Sequence, residues 1–159
     1  SAHAIGQFPG DGKRVEYNDD IYVGYRYFDK ENIKPLFPFG FGLSYTSFKF
    51  SDLKITLTPD SVLVSCSITN SGEIAGAEVV QLYMAPINPK TDRPVQELKG
   101  FEKIFLKPGE SAPVKMSLCR ADFAYYDQAN RQWKIDSGDY AIRVGNSSRH
   151  LFLNQVVNL

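Results

Sequence analysis

Few residues in this sequence have the types and spacing that chemistry demands. Nucleophilic catalysis needs a nucleophile, a base and a group that orients the base. Only His3 and His150 could act as imidazole bases, and no serine sits in a Gly-x-Ser-x-Gly elbow. His3 stands two residues from Ser1, where order is least assured, so no triad is expected. Carboxylate pairs that cleave acetal bonds need two carboxyl groups about 5–10 Å apart. Glu16, Asp19, Asp20 and Asp29 lie near an aromatic-rich stretch, but that stretch has too little core of its own to hold a cleft. They read as surface acids. Asp19-Asp20 and Asp136-x-x-Asp139 lack the loop pattern of a calcium hand, and Asp136 and Asp139 are expected as solvated turn residues. There is no Cys-x-x-Cys and no His-x-x-x-His. Gly40-Phe41-Gly42 lacks the third glycine and the strand-turn-helix setting of a phosphate cradle; it reads as a tight aromatic turn. Asn146-Ser147-Ser148 fits the N-glycosylation pattern and is read as a chance match. No catalytic residue, metal site or cofactor is expected.

The composition narrows the field further. The 159 residues carry 18 acidic and 18 basic side chains, a balance that argues against a nucleic-acid binder. No apolar run approaches the ~18 residues of a membrane helix. The length suits about one domain with a proper core. Cys66 alternates with Val62, Val64 and Ile68, so it points into that core. Cys119 falls one residue out of phase with Val114, Met116 and Leu118. The two thiols are therefore expected on opposite faces and unpaired.

From residue 45 onward the chain reads as short strands broken by turns. Ser47–Leu57 changes phase at Ser51-Asp52, which implies a bulge. Val62–Ile68 alternates as a half-buried strand does. Ala77–Ala85 is apolar on both faces near its start and is placed centrally. Residues 86–94 hold three prolines and form a loop. Leu98–Leu106 follows, then Lys107-Pro108-Gly109-Glu110 with the residues of a type II turn. Arg120–Asp127 is a helical turn or an extended corner. Arg131–Ile135 and Tyr140–Val144 are expected to form a hairpin around Asp136–Asp139, and His150–Val157 closes the chain. About seven to nine strands with no long helix predict an all-β, antiparallel sandwich of the immunoglobulin or fibronectin type III-like kind.

The aromatic residues are unevenly spread: 11 of the 21 fall in residues 17–50. Pro35 and Pro38 favour an extended path, and Gly40 and Gly42 permit tight turns. This segment reads as an irregular strap that must pack on the sandwich or on a neighbour. Its motif Phe37-Pro-Phe-Gly-Phe-Gly-Leu-Ser-Tyr-Thr-Ser-Phe48 resembles the C-terminal part of glycoside hydrolase family 3, the β-glucosidases and β-xylosidases. Val23–Asp29, Val80–Tyr83, Glu97–Ile104, Leu106–Glu110, Trp133 and Gly138–Gly145 match the same family in order. The variable motif position, often His or Tyr, is Phe41 here.

The resemblance implies a tail of an α/β-sandwich domain and a linker strap in 1–44, then a fibronectin type III-like domain in 45–159. It implies a retaining parent enzyme acting on terminal β-glucosyl or β-xylosyl residues. The family's nucleophilic Asp lies in a barrel domain and its Glu acid/base typically in the α/β sandwich. Both align upstream of Ser1, so neither is carried over. The expected role is a non-catalytic, stabilising accessory domain whose partners are those two domains. Tyr25, Tyr27, Phe28, Phe37, Phe39, Phe41, Tyr45 and Phe48 are the expected docking residues. The alternative is a carbohydrate-binding module that holds polymeric glycan with Tyr125, Tyr126 and Trp133, although Trp133 is expected in the core. An extracytoplasmic location is implied through the parent, with any leader upstream.

Overall fold

The computed structural model describes residues 12–15 and 20–159. His3, Glu16, Tyr17 and Asp19 lie outside the described residues. Among the described residues the chain forms nine strands, one short helix and one 3-10 turn. Helix α1 is Tyr25–Lys30. The strands are β1 Phe48–Leu57, β2 Ser61–Asn70, β3 Gly76–Pro86, β4 Glu97–Leu106, β5 Ser111–Cys119, β6 Tyr125–Asp127, β7 Gln132–Lys134, β8 Asp139–Gly145 and β9 Leu151–Asn158. One sheet has the order β1-β2-β5, a second the order β4-β3-β8-β9, and β6-β7 is a two-stranded ribbon. All the pairings are antiparallel. The sandwich expected from the strand pattern is the fold observed.

The core forms where the alternating sides of the two large sheets meet. Val62, Val64, Cys66 and Ile68 of β2 face Val80, Leu82 and Met84 of β3 and Ile142 and Val144 of β8. Each such side chain, fully buried, contributes about 1.5–3 kcal/mol. The bulge falls where the phase change put it: the β1–β2 register shifts between Ser51 and Lys54, with Asp52 at φ 55°. The turn Lys107–Glu110 closes with Glu110 N–H donating to the Lys107 carbonyl at 3.0 Å, and Gly109 takes φ 74°, which type II requires. Cys66 is buried, which pushes its thiol up to about 11, and Cys119 is exposed. They stand opposite Val114 and Ser61 respectively, so the two thiols are free.

Three readings need correction. Residues 131–144 do not form a hairpin. β8 already has β3 on one side and β9 on the other, which leaves no free edge for β7. The 136–139 connection is instead tied to the chain end, through reciprocal bonds between Gly138 and Leu159, both 3.0 Å. β7 turns back on β6, with the intervening turn held by Asp127, which accepts the N–H groups of Ala129 and Asn130. The strap, expected to be irregular, contains α1. Asp136 is also more than a solvated turn acid: its carboxylate pairs with Lys134 at 3.2 Å and accepts from Tyr125 at 3.3 Å. The open choice for 120–127 resolves as both: a 3-10 turn at Arg120–Phe123, then β6.

Asn70 ties several of these elements together. It is fully buried at the end of β2. Its amide donates to the carbonyls of Ile74 (2.8 Å) and Leu106 (3.0 Å). Its oxygen accepts from Thr46 (3.1 Å) and the Gly72 N–H (3.0 Å). Truncation would leave two carbonyls without their amide partner, the Leu106 carbonyl in a buried site. The substitution Asn70→Ala should therefore cost about 3 kcal/mol of unfolding free energy, measured by urea titration. A loss under about 1 kcal/mol would show that these bonds are replaceable.

Candidate functional site

The site begins with β3, whose side chains are buried on both faces. Val80, Leu82 and Met84 face the core, and Gln81, Tyr83 and Ala85 are equally buried on the other side. Two sheets can cover only one of those faces. The strap supplies the third layer.

Gly24, at φ 62°, turns the chain into α1. The Tyr25 ring meets Tyr83 edge-on at 5.9 Å and leans on Phe39 at 5.6 Å. Its hydroxyl accepts the Leu98 N–H at 2.9 Å. Further on, Gly40 lies directly on Gln81. A Cβ at residue 40 would come within 2.1 Å of the Gln81 amide nitrogen, and φ is 87°. Only glycine fits there. The Gln81 amide donates to the Asn146 carbonyl at 2.8 Å, and its oxygen accepts the Tyr83 hydroxyl at 2.6 Å. The Gln81 amide and the Tyr83 hydroxyl are thus answered by protein partners rather than by solvent. The tight turn expected at 40–42 is present, with Phe41 N–H donating to the Pro38 carbonyl at 3.0 Å.

Polar contacts pin the same segment. Asp29 is the centre of a latch. Arg149 meets its carboxylate at 2.9 Å, with the Asp29 side chain only 5% exposed. Gln96 donates to the other oxygen at 3.0 Å, and to the Ser148 carbonyl at 2.8 Å. Arg143 donates to the Gln96 oxygen at 3.1 Å. Arg149 also donates to the carbonyls of Phe28 (3.0 Å) and Ile33 (3.1 Å), closing the end of α1. Burial raises the Asp29 pKa above its ordinary 3.8; the nearby Arg149, the Gln96 bond and Arg143 oppose that rise without cancelling it. A second tie joins the start of the strap to the 91–97 loop. Tyr22 donates to Asp92, Lys30 lies 3.5 Å above the Tyr22 ring, and Arg26 pairs with Glu97 at 3.1 Å. Burial and the Asp92 carboxylate push the Tyr22 hydroxyl pKa up. Contrary to the expectation of a surface acid, the Asp29 side chain is buried and paired. Its partners lie 67 and 120 positions away, beyond the reach of any local pattern.

The expected docking residues divide into two sets. Tyr25, Tyr27, Phe28 and Phe48 are half-buried, with Phe48 packed against the core cluster. Phe37, Phe39, Phe41 and Tyr45 face outward, joined by Leu36 and Leu43. Tyr45 is 97% exposed and Leu36 89%. The Phe37 and Phe41 rings stack at 5.8 Å. Phe101 and Phe105 on β4 are exposed too; alternation along a strand does not by itself say which face meets solvent.

The three candidate glycan contacts meet at one cleft of about 670 Å³, lined also by Asp20, Arg26 and Asp92. Trp133 is not in the core: it is 72% exposed and stands opposite Tyr126 across β6–β7. Their rings meet at 72° and 5.7 Å, so they present no shared flat platform. Tyr125 has Arg93 over its ring at 4.9 Å. The Asn146 side chain donates to Glu78 at 3.1 Å, and Ser147 and Ser148 are buried, so that tripeptide serves the fold.

Comparison with known proteins agrees with this architecture. Residues 78–148 match the family described as fibronectin type III-like domain. The thermostable β-glucosidase B of Acetivibrio thermocellus is 45% identical over 156 residues, covering 96% of this chain and 21% of that protein. Residues 78–148 belong to the fibronectin type III-like domains, and the chain as a whole is similar to the matching part of β-glucosidases. The solved β-glucosidase of Kluyveromyces marxianus, in complex with glucose, superposes with a TM-score of 0.92 at 40% identity, over 98% of this chain and 19% of that one. The GH3 β-glucosidase of Bifidobacterium adolescentis gives 0.90 at 39%, over 96% and 23%. The fibronectin type III-like chain thus spans about a fifth of the length of the relatives it matches. The strap lies ahead of the family match, yet the relatives cover it as well.

The latch yields a signed pH prediction. Asp29 binds its proton at a higher pH folded than unfolded. By itself it makes the fold more stable as pH falls from its raised value towards 3.8, and it adds nothing further below that. The Arg149 pair acts in the other direction, since it needs the ionised carboxylate. Arg149→Ala should cost about 2 kcal/mol at pH 7, discounted for an arginine side chain that is partly exposed. That cost should shrink as Asp29 is protonated. Chemical denaturation of both proteins at pH 7 and at pH 4 checks this; a cost that does not change with pH would dissociate Arg149 from Asp29.

Proposed function

We propose that this chain is a non-catalytic, stabilising accessory domain of a β-glycosidase, docked through its strap onto the barrel and α/β-sandwich domains of the parent. In this reading 1–44 joins the tail of the preceding domain to the strap, and 45–159 is the fibronectin type III-like unit. The observation that carries it is the two-sided strap. Its inner side is engaged on the sandwich, while Leu36, Phe37, Leu43 and Tyr45 stand open, in a chain spanning about a fifth of its relatives. Exposed apolar patches of this kind mark interaction surfaces. The parent's activity follows from relatives named β-glucosidases, and export with the parent fits the same reading. No described helix is long and apolar enough to cross a membrane.

A second reading rests on the exposed Trp133 beside its cleft: a weak site for polymeric glycan. The perpendicular rings and the covered Tyr125 disfavour it.

The two readings separate experimentally. In the full-length enzyme, Phe37→Ser should leave the domain folded yet reduce stability by about 2 kcal/mol, the value of one large apolar side chain uncovered. Thermal unfolding and activity retained after heating measure this; an unchanged midpoint sinks the docking role. Trp133→Ala should leave polysaccharide retention unchanged. Loss of retention, together with oligosaccharide binding by the unaltered enzyme at millimolar concentration, would favour the glycan reading.

A further inference from the structure

The strap does not hold all of the exposed apolar surface on its side. Phe101 and Phe105 of β4 are 68% and 66% exposed. The strand register fixes where they point, because cross-strand partners share a face. Phe101 stands opposite Gln81, and Phe105 opposite Ala77. Gln81 is the side chain that lies under Gly40, and Phe105, four residues on from Phe101 along β4, shares its face by the alternation of the strand. Both phenyl rings are therefore on the strap's face, one strand over from the strand it covers. β4 is also an edge strand. Exposed edges are usually blunted by charge or proline; β4 carries Lys99, Glu102 and Lys103, yet its outward face also presents two phenyl groups with Lys103 between them.

We propose that Phe101 and Phe105 extend the outward side of the strap into one docking surface, covered by a preceding domain of the same polypeptide. The proposal rests on the docking role argued above and adds β4 to it. Two observations select the occupant. Relatives are about five times as long as this chain, so most of the polypeptide lies outside it. The face is also continuous with the strap, which leads into this sandwich from residues 1–44. A second copy of the chain fits less well. A two-fold contact centred on β4 would bring the two Lys103 side chains together, and like charges at an interface repel. The covering surface is accordingly apolar, with a carboxylate facing Lys103.

Hydroxyl-radical footprinting of the full-length polypeptide, referenced to the same polypeptide unfolded in urea, tests this. Phe101 and Phe105 should be protected by about tenfold or more, as the core of an interface is. Labelling at the level of their two-thirds exposure would overturn the proposal. Leu36 and Phe37 are read in the same experiment. If they are protected and the two β4 residues are not, the β4 extension fails and strap docking stands. If all four are open, both fail. Protection that fades on dilution would assign the face to a second copy and overturn the proposal.

Discussion

The burial of β3 on both faces governs this structure. Six consecutive residues, Val80–Ala85, are shielded from water. A two-layer sandwich shields only alternate residues of a strand. The other face of β3 carries Tyr83 and Gln81, one large ring and one amide, and neither is stable half-covered. Leaving Gln81 dry without partners would cost a few kcal/mol. The strap resolves both problems at once: Tyr25 covers the ring, and the glycine at 40 lets backbone reach the amide. The chain is thus three layers on one side and two elsewhere.

Apolar contact alone would not fix where the strap lies, because hydrophobic burial is non-directional. The directional part comes from the Asp29 latch. Arg149 and Gln96 come from two separate segments beside the strap, and both can reach Asp29 only when α1 sits in one place; Arg143 holds Gln96 from a third. Burying that carboxylate is unfavourable, as its raised pKa shows. That cost offsets part of what the Arg149 pair contributes, and the latch acts on geometry as well. Buried ion pairs with complete hydrogen bonding commonly have this character.

The sandwich was legible because its signals are local. Alternation marked β2, a phase slip marked the bulge at Ser51-Asp52, and Pro108-Gly109 marked the type II turn. What misled was also local. Asp136–Asp139 has the composition of a hairpin turn, yet β8 is paired on both sides, so turn chemistry was overridden by sheet occupancy. Trp133 was placed inside because large aromatics usually are; β7, only three residues long and paired with an equally short β6, has no layer above it to hide the ring. The Asp29 latch was invisible, since its members are scattered from 29 to 149 and share no period. The strap was recognised from its residues, but not its inner and outer sides, which depend on which rings the latch turns towards β3.

The inner and outer sides of the strap are coupled through one backbone. Phe37 and Phe41 stack on each other over the turn that Gly40 makes against Gln81. Their orientation is set from beneath, within the chain itself. A surface ordered in advance loses less conformational entropy when it is covered. Phe41 also meets His150 edge-on at 6.0 Å, next to the arginine that grips Asp29, so the latch and the outward rings share neighbours. Loosening the latch would therefore reach the exposed face even though no latch residue lies on it. In that sense the polar network inside the chain belongs to the apolar surface outside it: one decides where the strap is, and the strap decides what the surface can meet.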